Sequence, residues 1–435
     1  MAGIDWSSLP PESVLGEEMH NLMAELYPIC RSLTGDGVRE TFAILQRDVP
    51  LEVTEVPSGT RVFDWTLPRE WNIGDAWIEG PDGRRVVDFK RSNLHVLGYS
   101  VPVRARVPLS ELRKHLFTHP DNPDWVPFRT SYYSENWGFC LSQKQLEQMP
   151  EGEYEVVIDS ALSDGSVTYA EAFIRGETPD EILVSAYTCH PSLCNDNLSG
   201  VVLTAALAKY LRSIPLRHSY RFLLGPSTIG PLCWLWKNEN ELDRIVSGLT
   251  ISCAGDSGAP TYKQSRRGDG MIDQAAANVI RAAGGTVIPF DPWGGNERQF
   301  CSPGFDLPVG VLTRSLHDEF PGYHSSADDL DLVRPEFLAD SLRWCLEIVD
   351  VLETNTRYLN LSPKGEPQLG RRGLYRSIAG GSSTEAALLW VLNLSDGKHS
   401  LLEISDRSGI AYSAVREAAE TLQEHELLAE ADRAA

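Results

Sequence analysis

Thr188-Cys189-His190-Pro191-Ser192-Leu193-Cys194-Asn195-Asp196-Asn197-Leu198-Ser199-Gly200 stands between two apolar segments of different character. Before it, Ile182-Leu183-Val184-Ser185-Ala186-Tyr187 reads as a buried strand, and after it Val201 to Ala208 reads as a helix. A histidine and an aspartate therefore fall on a loop at the C-terminal edge of a sheet, where open α/β folds place their ligand sites. An imidazole and a carboxylate in such a loop suit a divalent metal, since Zn²⁺ takes N and O donors at about 2.0–2.2 Å.

The alternation continues outward. Strands are predicted at 182–187, 220–224, 248–253, 286–290 and 309–313, and helices at 200–212, 271–283 and 335–354. This pattern calls for a mostly parallel sheet flanked by helices. Two further loops at strand ends carry ligand types: Cys253-Ala254-Gly255-Asp256 and Gly322-Tyr323-His324-Ser325-Ser326-Ala327-Asp328. His190, Asp196, Asp256 and His324 are the candidate metal ligands. Asp328 is either a carboxylate that orients a ligand imidazole or a helix cap.

The 435 residues divide into four predicted parts. Residues 1–50 form a helical part of the catalytic domain. Residues 51–170 are a β-rich insert dense in aromatics (Trp65, Trp71, Trp77, Trp125, Tyr132, Tyr133, Trp137 and Phe139), read as its core rather than as a stacking platform. Residues 171–360 are the α/β catalytic domain, and residues 361–435, which open with the Pro363–Pro367 linker, have the texture of a winged helix.

The charge balance narrows the partners. The chain carries a net charge of −22, which repels phosphate backbones and argues against nucleic acid. Residues 371–435 hold seven Lys/Arg against ten Asp/Glu, or −3, so the winged helix is read as a packing or subunit-contact element, open to homo-oligomer formation, rather than a groove reader. No apolar run reaches membrane-spanning length, and the N-terminus has no secretory pattern. Eight cysteines without a C-x-x-C pair suggest reduced thiols and a cytoplasmic location. Cys189 and Cys194 flank His190, which leaves a thiolate ligand as an alternative.

Cys-His-Pro at 189–191, Asn-Asp-Asn-Leu-Ser-Gly at 195–200, Cys-Ala-Gly-Asp at 253–256 and Tyr-His-Ser-Ser-Ala-Asp at 323–328 together resemble the dizinc exopeptidase fold. More narrowly, the chain resembles a bacterial family of aminopeptidase-like proteins with a β-rich insert and a C-terminal winged helix. Tyr27-Pro28-Ile29-Cys30-Arg31-Ser32-Leu33-Thr34-Gly35 and Glu297-Arg298-Gln299-Phe300 are among the matching stretches. The resemblance implies a zinc-exopeptidase-like sheet and one or two Zn²⁺ ions. His190 and Asp256 would bind the first, His324 the second, and Asp196 would bridge them or anchor one. It places Glu297, Arg298 and Tyr323 on the substrate side, with Arg298 either holding a substrate carboxylate or serving in a buried structural ion pair.

One departure bears on chemistry. The family places a glutamate before Thr-Ile-Gly, the position from which the fold supplies a general base; here the segment is Pro226-Ser227-Thr228-Ile229-Gly230. Serine is no base near neutral pH without help, and a positioned base contributes about 10²–10⁴-fold, or roughly 3–5 kcal/mol. Asn296 likewise stands where the family tends to have aspartate, and fewer anionic ligands favour one metal over two. Ser227 and Glu297 are thus the catalytic candidates. The expected function is a weak or repurposed zinc-dependent hydrolase of an amide in a small amino-acid or peptide-like substrate. Its rival is a catalytically degenerate binding or assembly protein.

Overall fold

The computed structural model describes residues 3–4, 6, 9–132, 134–374 and 383–431; Tyr133 of the aromatic set lies outside them. An eight-stranded mixed sheet forms the centre, in the order 52–57, 166–174, 219–225, 181–187, 245–251, 309–313, 261–263, 286–288. Its middle four strands run parallel. Strand Glu181–Tyr187 is buried along its whole length. That explains its unbroken apolar run: a central strand covered on both faces has no polar side. Helices Glu12–Leu26, Ser199–Leu211, Met271–Ala282 and Pro335–Thr354 contribute buried residues to one continuous core with the sheet.

The C-terminal ends of the four parallel strands lie on one edge. They lead into the loops that bear His190 and Asp196, Ser227, Asp256, and His324. The predicted strands and helices of this region are present, with ends displaced by up to three residues. The short strand Thr261–Lys263 and the helix Ile229–Asn238 were not anticipated.

Strands Glu52–Pro57 and Ser166–Ile174 pair with each other and, through the latter, with the large sheet. Between them, residues 70–79, 85–88, 103–108 and 153–163 make a separate four-stranded sheet with its own core around Ile78, Phe139 and Tyr154. Of the aromatic set, Phe139 and Trp71 are buried, and Trp71 stacks on Tyr99 with centroids 5.6 Å apart.

Helices Ser383–Leu394, Leu401–Ser408 and Tyr412–Glu424 follow, with a three-stranded sheet of 396–400, 357–360 and 428–430. This winged helix shares the main core through Leu388, Val391, Leu402 and Val415. Arg416 pairs with Asp350 at 2.8 Å, and Asn278 donates to Asp406 at 2.8 Å. No helix among the described residues is long and apolar enough to cross a membrane.

Candidate metal centre

The Asn-Asp-Asn-Leu-Ser-Gly segment works by alternation. Asn195 donates to Asp256 Oδ2 at 2.7 Å and accepts from the Gly255 amide at 2.8 Å. Asn197 donates to the Ile251 carbonyl at 3.2 Å and accepts from the Cys253 amide at 3.1 Å, and Ser199 accepts from the Ala254 amide at 3.1 Å. These three side chains tie the loop to residues 251–256. Gly200 is required by close approach: a Cβ there would lie 2.3 Å from the Ile251 carbonyl oxygen. Asp196, between the two asparagines, turns the other way.

Asp196 Oδ2 lies 3.0 Å from His324 Nε2 and 3.8 Å from His190 Nε2. All three ligand atoms fall within 4.8 Å of one another. Donors on a tetrahedral Zn²⁺ stand roughly 3.3–3.6 Å apart, so the two separations bracket the fit. Three N/O donors is the number that catalytic zinc sites take from a protein, where structural sites take four.

The electrostatics suit a cation. Burial pushes the His190 imidazole down to about 4, against the nearby Asp196 charge, so the ring is neutral near pH 7 and able to ligate. Burial alone would raise the Asp196 carboxyl, but His190 and His324 outweigh it and hold it well below the usual carboxylate range. Tyr187 donates its hydroxyl hydrogen bond to Asp196 Oδ1 and stands 2.9 Å from Ser252 Oγ. Burial, then the Asp196 charge, raises the phenol far above its ordinary value, so it stays a donor.

The surroundings hold the loop in place. Asp328 does not reach an imidazole. Its oxygens accept from the Asn195 and Asp196 amides at 2.5 and 2.9 Å, which makes it a clamp on the loop backbone. Arg31, fully buried, donates through Nε to the Thr188 carbonyl at 3.0 Å and through Nη1 to the Leu26 carbonyl. It thereby joins the last turn of helix Glu12–Leu26 to the histidine loop. From the β-rich insert, Phe128 donates its amide to the His324 carbonyl at 2.7 Å. Its ring centroid lies 4.4 Å from that of His190 and 5.3 Å from that of His324, so the insert roofs the cluster.

The other candidates fall as follows. Asp256 is not in the cluster: Asn195 takes one of its oxygens and the Gly258 amide, at 2.6 Å, takes the other. It organises the loop in place of the expected ligation. Ser227 donates its amide to Cys189 Sγ at 3.2 Å. Thr228, at φ +65°, donates its amide to Asn296 Oδ1 and receives Arg298 Nη2 at 3.3 Å, while Arg298 Nε has no hydrogen-bond partner. Tyr323 stacks on His324 with centroids 3.9 Å apart. Glu297 is buried against Lys263, Oε1 to Nζ 2.7 Å. All eight cysteines are free; Cys189 and Cys194 are buried, with burial pushing the Cys189 thiol up to about 12, and neither joins the cluster.

Phe128, Tyr187 and His317 escaped the sequence reading as site residues. Tyr187 ends an apolar run and reads as core. His317 follows a strand end without a motif around it, yet its Nε2 lies 3.4 Å from the Tyr187 hydroxyl.

Sheet order, site position and inserted module define an α/β protein of the zinc aminopeptidase fold with a winged helix appended. A zinc aminopeptidase from Bacillus subtilis covers 77% of this chain and 94% of its own length at a TM-score of 0.55 and 13% identity. A peptidase M28 precursor from Shewanella amazonensis does so over 79% and 96% at 0.52 and 13%. At such identities the likeness is one of fold. The chain belongs to the family described as a domain of unknown function (DUF4910), whose model matches residues 20–355; a winged helix-turn-helix model matches 356–430. A Clostridium acetobutylicum protein is 52% identical over 96% of this chain and 97% of its own; its name combines polysaccharide biosynthesis with an aminopeptidase-like domain. A crystal structure from the same organism, named for a peptidase, covers 96% of this chain and 97% of its own at a TM-score of 0.92 and 50% identity.

Proposed function

We propose that the protein is a metal-dependent hydrolase of an amide bond in a small amino-acid or peptide-like substrate, with Zn²⁺ held by His190, Asp196 and His324. The observation that carries this reading is the convergence of those three donor atoms within 4.8 Å, at the sheet edge where the fold keeps its ligands. Held by these three residues, a zinc ion would supply a Lewis acid for the carbonyl and would bring the pKa of water to near 7. His190 enters neutral and Asp196 enters anionic. Tyr187 fixes the carboxylate, and the Phe128 ring packs over His190 and His324. Arg298 Nε offers an unused donor beside Thr228 for a substrate oxygen. The name of the Clostridium relative adds amide-bearing building blocks of polysaccharides to the candidate substrates.

The loop Pro226-Ser227-Thr228 contains no carboxylate, which favours slow turnover and gives the second reading, a scaffold that binds without hydrolysis. Aminoacyl anilides and dipeptides offered to the wild type and to Ser227→Glu separate the two. Measurable wild-type turnover that rises about 10²-fold or more in the glutamate variant supports the hydrolase. Turnover in the variant alone supports the binding scaffold. Absence of turnover in both, with zinc bound, overturns the amide hydrolase.

A further inference from the structure

Beyond Tyr187 and His317 lies a recess of about 240 Å³ against the edge strands of the large sheet. Ile288, Val311 and Leu316 give it an apolar part of its lining. Its charged groups are unevenly used. Lys263, itself buried, donates to the Asp291 carbonyl at 3.0 Å and the Trp293 carbonyl at 2.8 Å, and its Nζ forms an ion pair with Glu297 Oε1 at 2.7 Å. Glu297 is only 1% exposed; neither of its oxygens has a hydrogen-bond donor, and Oε2 also lacks the ion-pair contact that Oε1 makes.

Bare backbone passes over this ion pair. A Cβ at Gly294 would sit 2.1 Å from Glu297 Oε1. A Cβ at Gly295 would lie 3.3 Å from Glu297 Oε2, 3.5 Å from Tyr187 Cε1 and 3.8 Å from His317 Nε2. The recess therefore shares a wall with the metal centre.

A buried carboxylate oxygen without a donor costs free energy that a ligand proton can recover. The net charge fixes the kind of donor. One ammonium, Lys263, faces three carboxylates, since Asp291 and Glu319 also line the recess. Trp293, 71% exposed, lines it too and offers a ring face to a cation.

We propose that this recess binds a protonated primary amine on a short hydrocarbon stem. Glu297 Oε2 accepts an ammonium proton, the apolar part of the lining takes the stem, and Trp293 covers the charge. As a statement about substrate, this rests on the hydrolase reading; the binding itself does not need the metal.

The test is a ligand-observed NMR titration of n-butylamine hydrochloride and n-butanol near neutral pH, with Zn²⁺ titrated into the same preparations. Saturable amine binding, about tenfold tighter than the alcohol, is expected. Glu297→Gln should lose about tenfold in amine affinity, and Trp293→Ala, at an exposed site that leaves the fold alone, about threefold. Equal binding of amine and alcohol, no saturable amine binding, or unchanged affinity in both variants overturns the proposal. If Glu297→Gln does not fold, Trp293→Ala and Glu319→Gln decide. A protein that binds zinc but no amine overturns the recess alone, and one that binds the amine but no zinc overturns the hydrolase reading alone.

Discussion

Tyr187→Phe removes one oxygen atom and leaves the strand intact, so it isolates what holds Asp196 in place. In the wild type the phenol donates to Asp196 Oδ1, and the carboxylate is 1% exposed. Without that donor, Oδ1 is a buried carboxylate oxygen with an unmet hydrogen bond, a loss of about 1.5–3 kcal/mol for a charged acceptor. Residues that orient a metal ligand in this way typically contribute 10–100-fold to metal affinity, or about 1.4–2.7 kcal/mol. The two ranges overlap near 2 kcal/mol, so the variant should bind zinc about 30-fold more weakly. Competition with a chelating dye measures this, and urea unfolding of the metal-free protein gives the stability cost separately. Unchanged zinc affinity would refute the argument. Tighter binding would refute it more sharply, since it would mean that the hydrogen bond shields the carboxylate from the cation instead of aiming it.

Other perturbations reach different parts of the account. Asp256→Ala should lower stability by about 1–3 kcal/mol, through the unpaired Asn195 amide and Gly258 N–H, while zinc stoichiometry stays that of the wild type; loss of the metal would restore Asp256 as a ligand. Gly200→Ala should cost about 3 kcal/mol by urea unfolding, because its Cβ meets the Ile251 carbonyl. The Glu70 carboxyl is pulled down to about 2 by its hydrogen bond to Arg39. Its stabilising contribution is therefore full above the unfolded value near 4.5 and is lost as pH falls from there toward 2, and Glu70→Gln should flatten that acid limb by about 2 kcal/mol. An unaltered acid limb would show that the Arg39 pair carries no stability.

How far the chain could be read in advance follows from the range of the interactions. His190, Asp196 and His324 announce themselves because a strand, a short loop and a helix are local features, and the loop's position on the sheet edge follows from them. Asp256 looks the same in sequence and does a different job. Whether its oxygens meet a cation or Asn195 depends on how residues 252–256 fold back, with Cys253 at φ +46°, and no local pattern encodes that. The pairing of 52–57 with 166–174 joins segments more than a hundred residues apart. It gives to the large sheet two strands that periodicity alone assigns to the insert. Tyr187 shows the reverse: its ring belongs to an apolar run, and only the hydroxyl, invisible to hydropathy, belongs to the site. The buried Lys263–Glu297 pair is likewise assembled at long range: Lys263 sits on the short strand Thr261–Lys263, which no pattern announces, and Glu297 belongs to a legible motif whose partner is not legible.

The most direct test is the zinc content of the purified chain, measured by elemental analysis after saturation and desalting, for the wild type and for His190→Ala with His324→Ala. The account predicts one tightly held ion per wild-type chain and none in the double variant. Metal retained at full stoichiometry without the two imidazoles, or a correctly folded wild type that holds none, would contradict it.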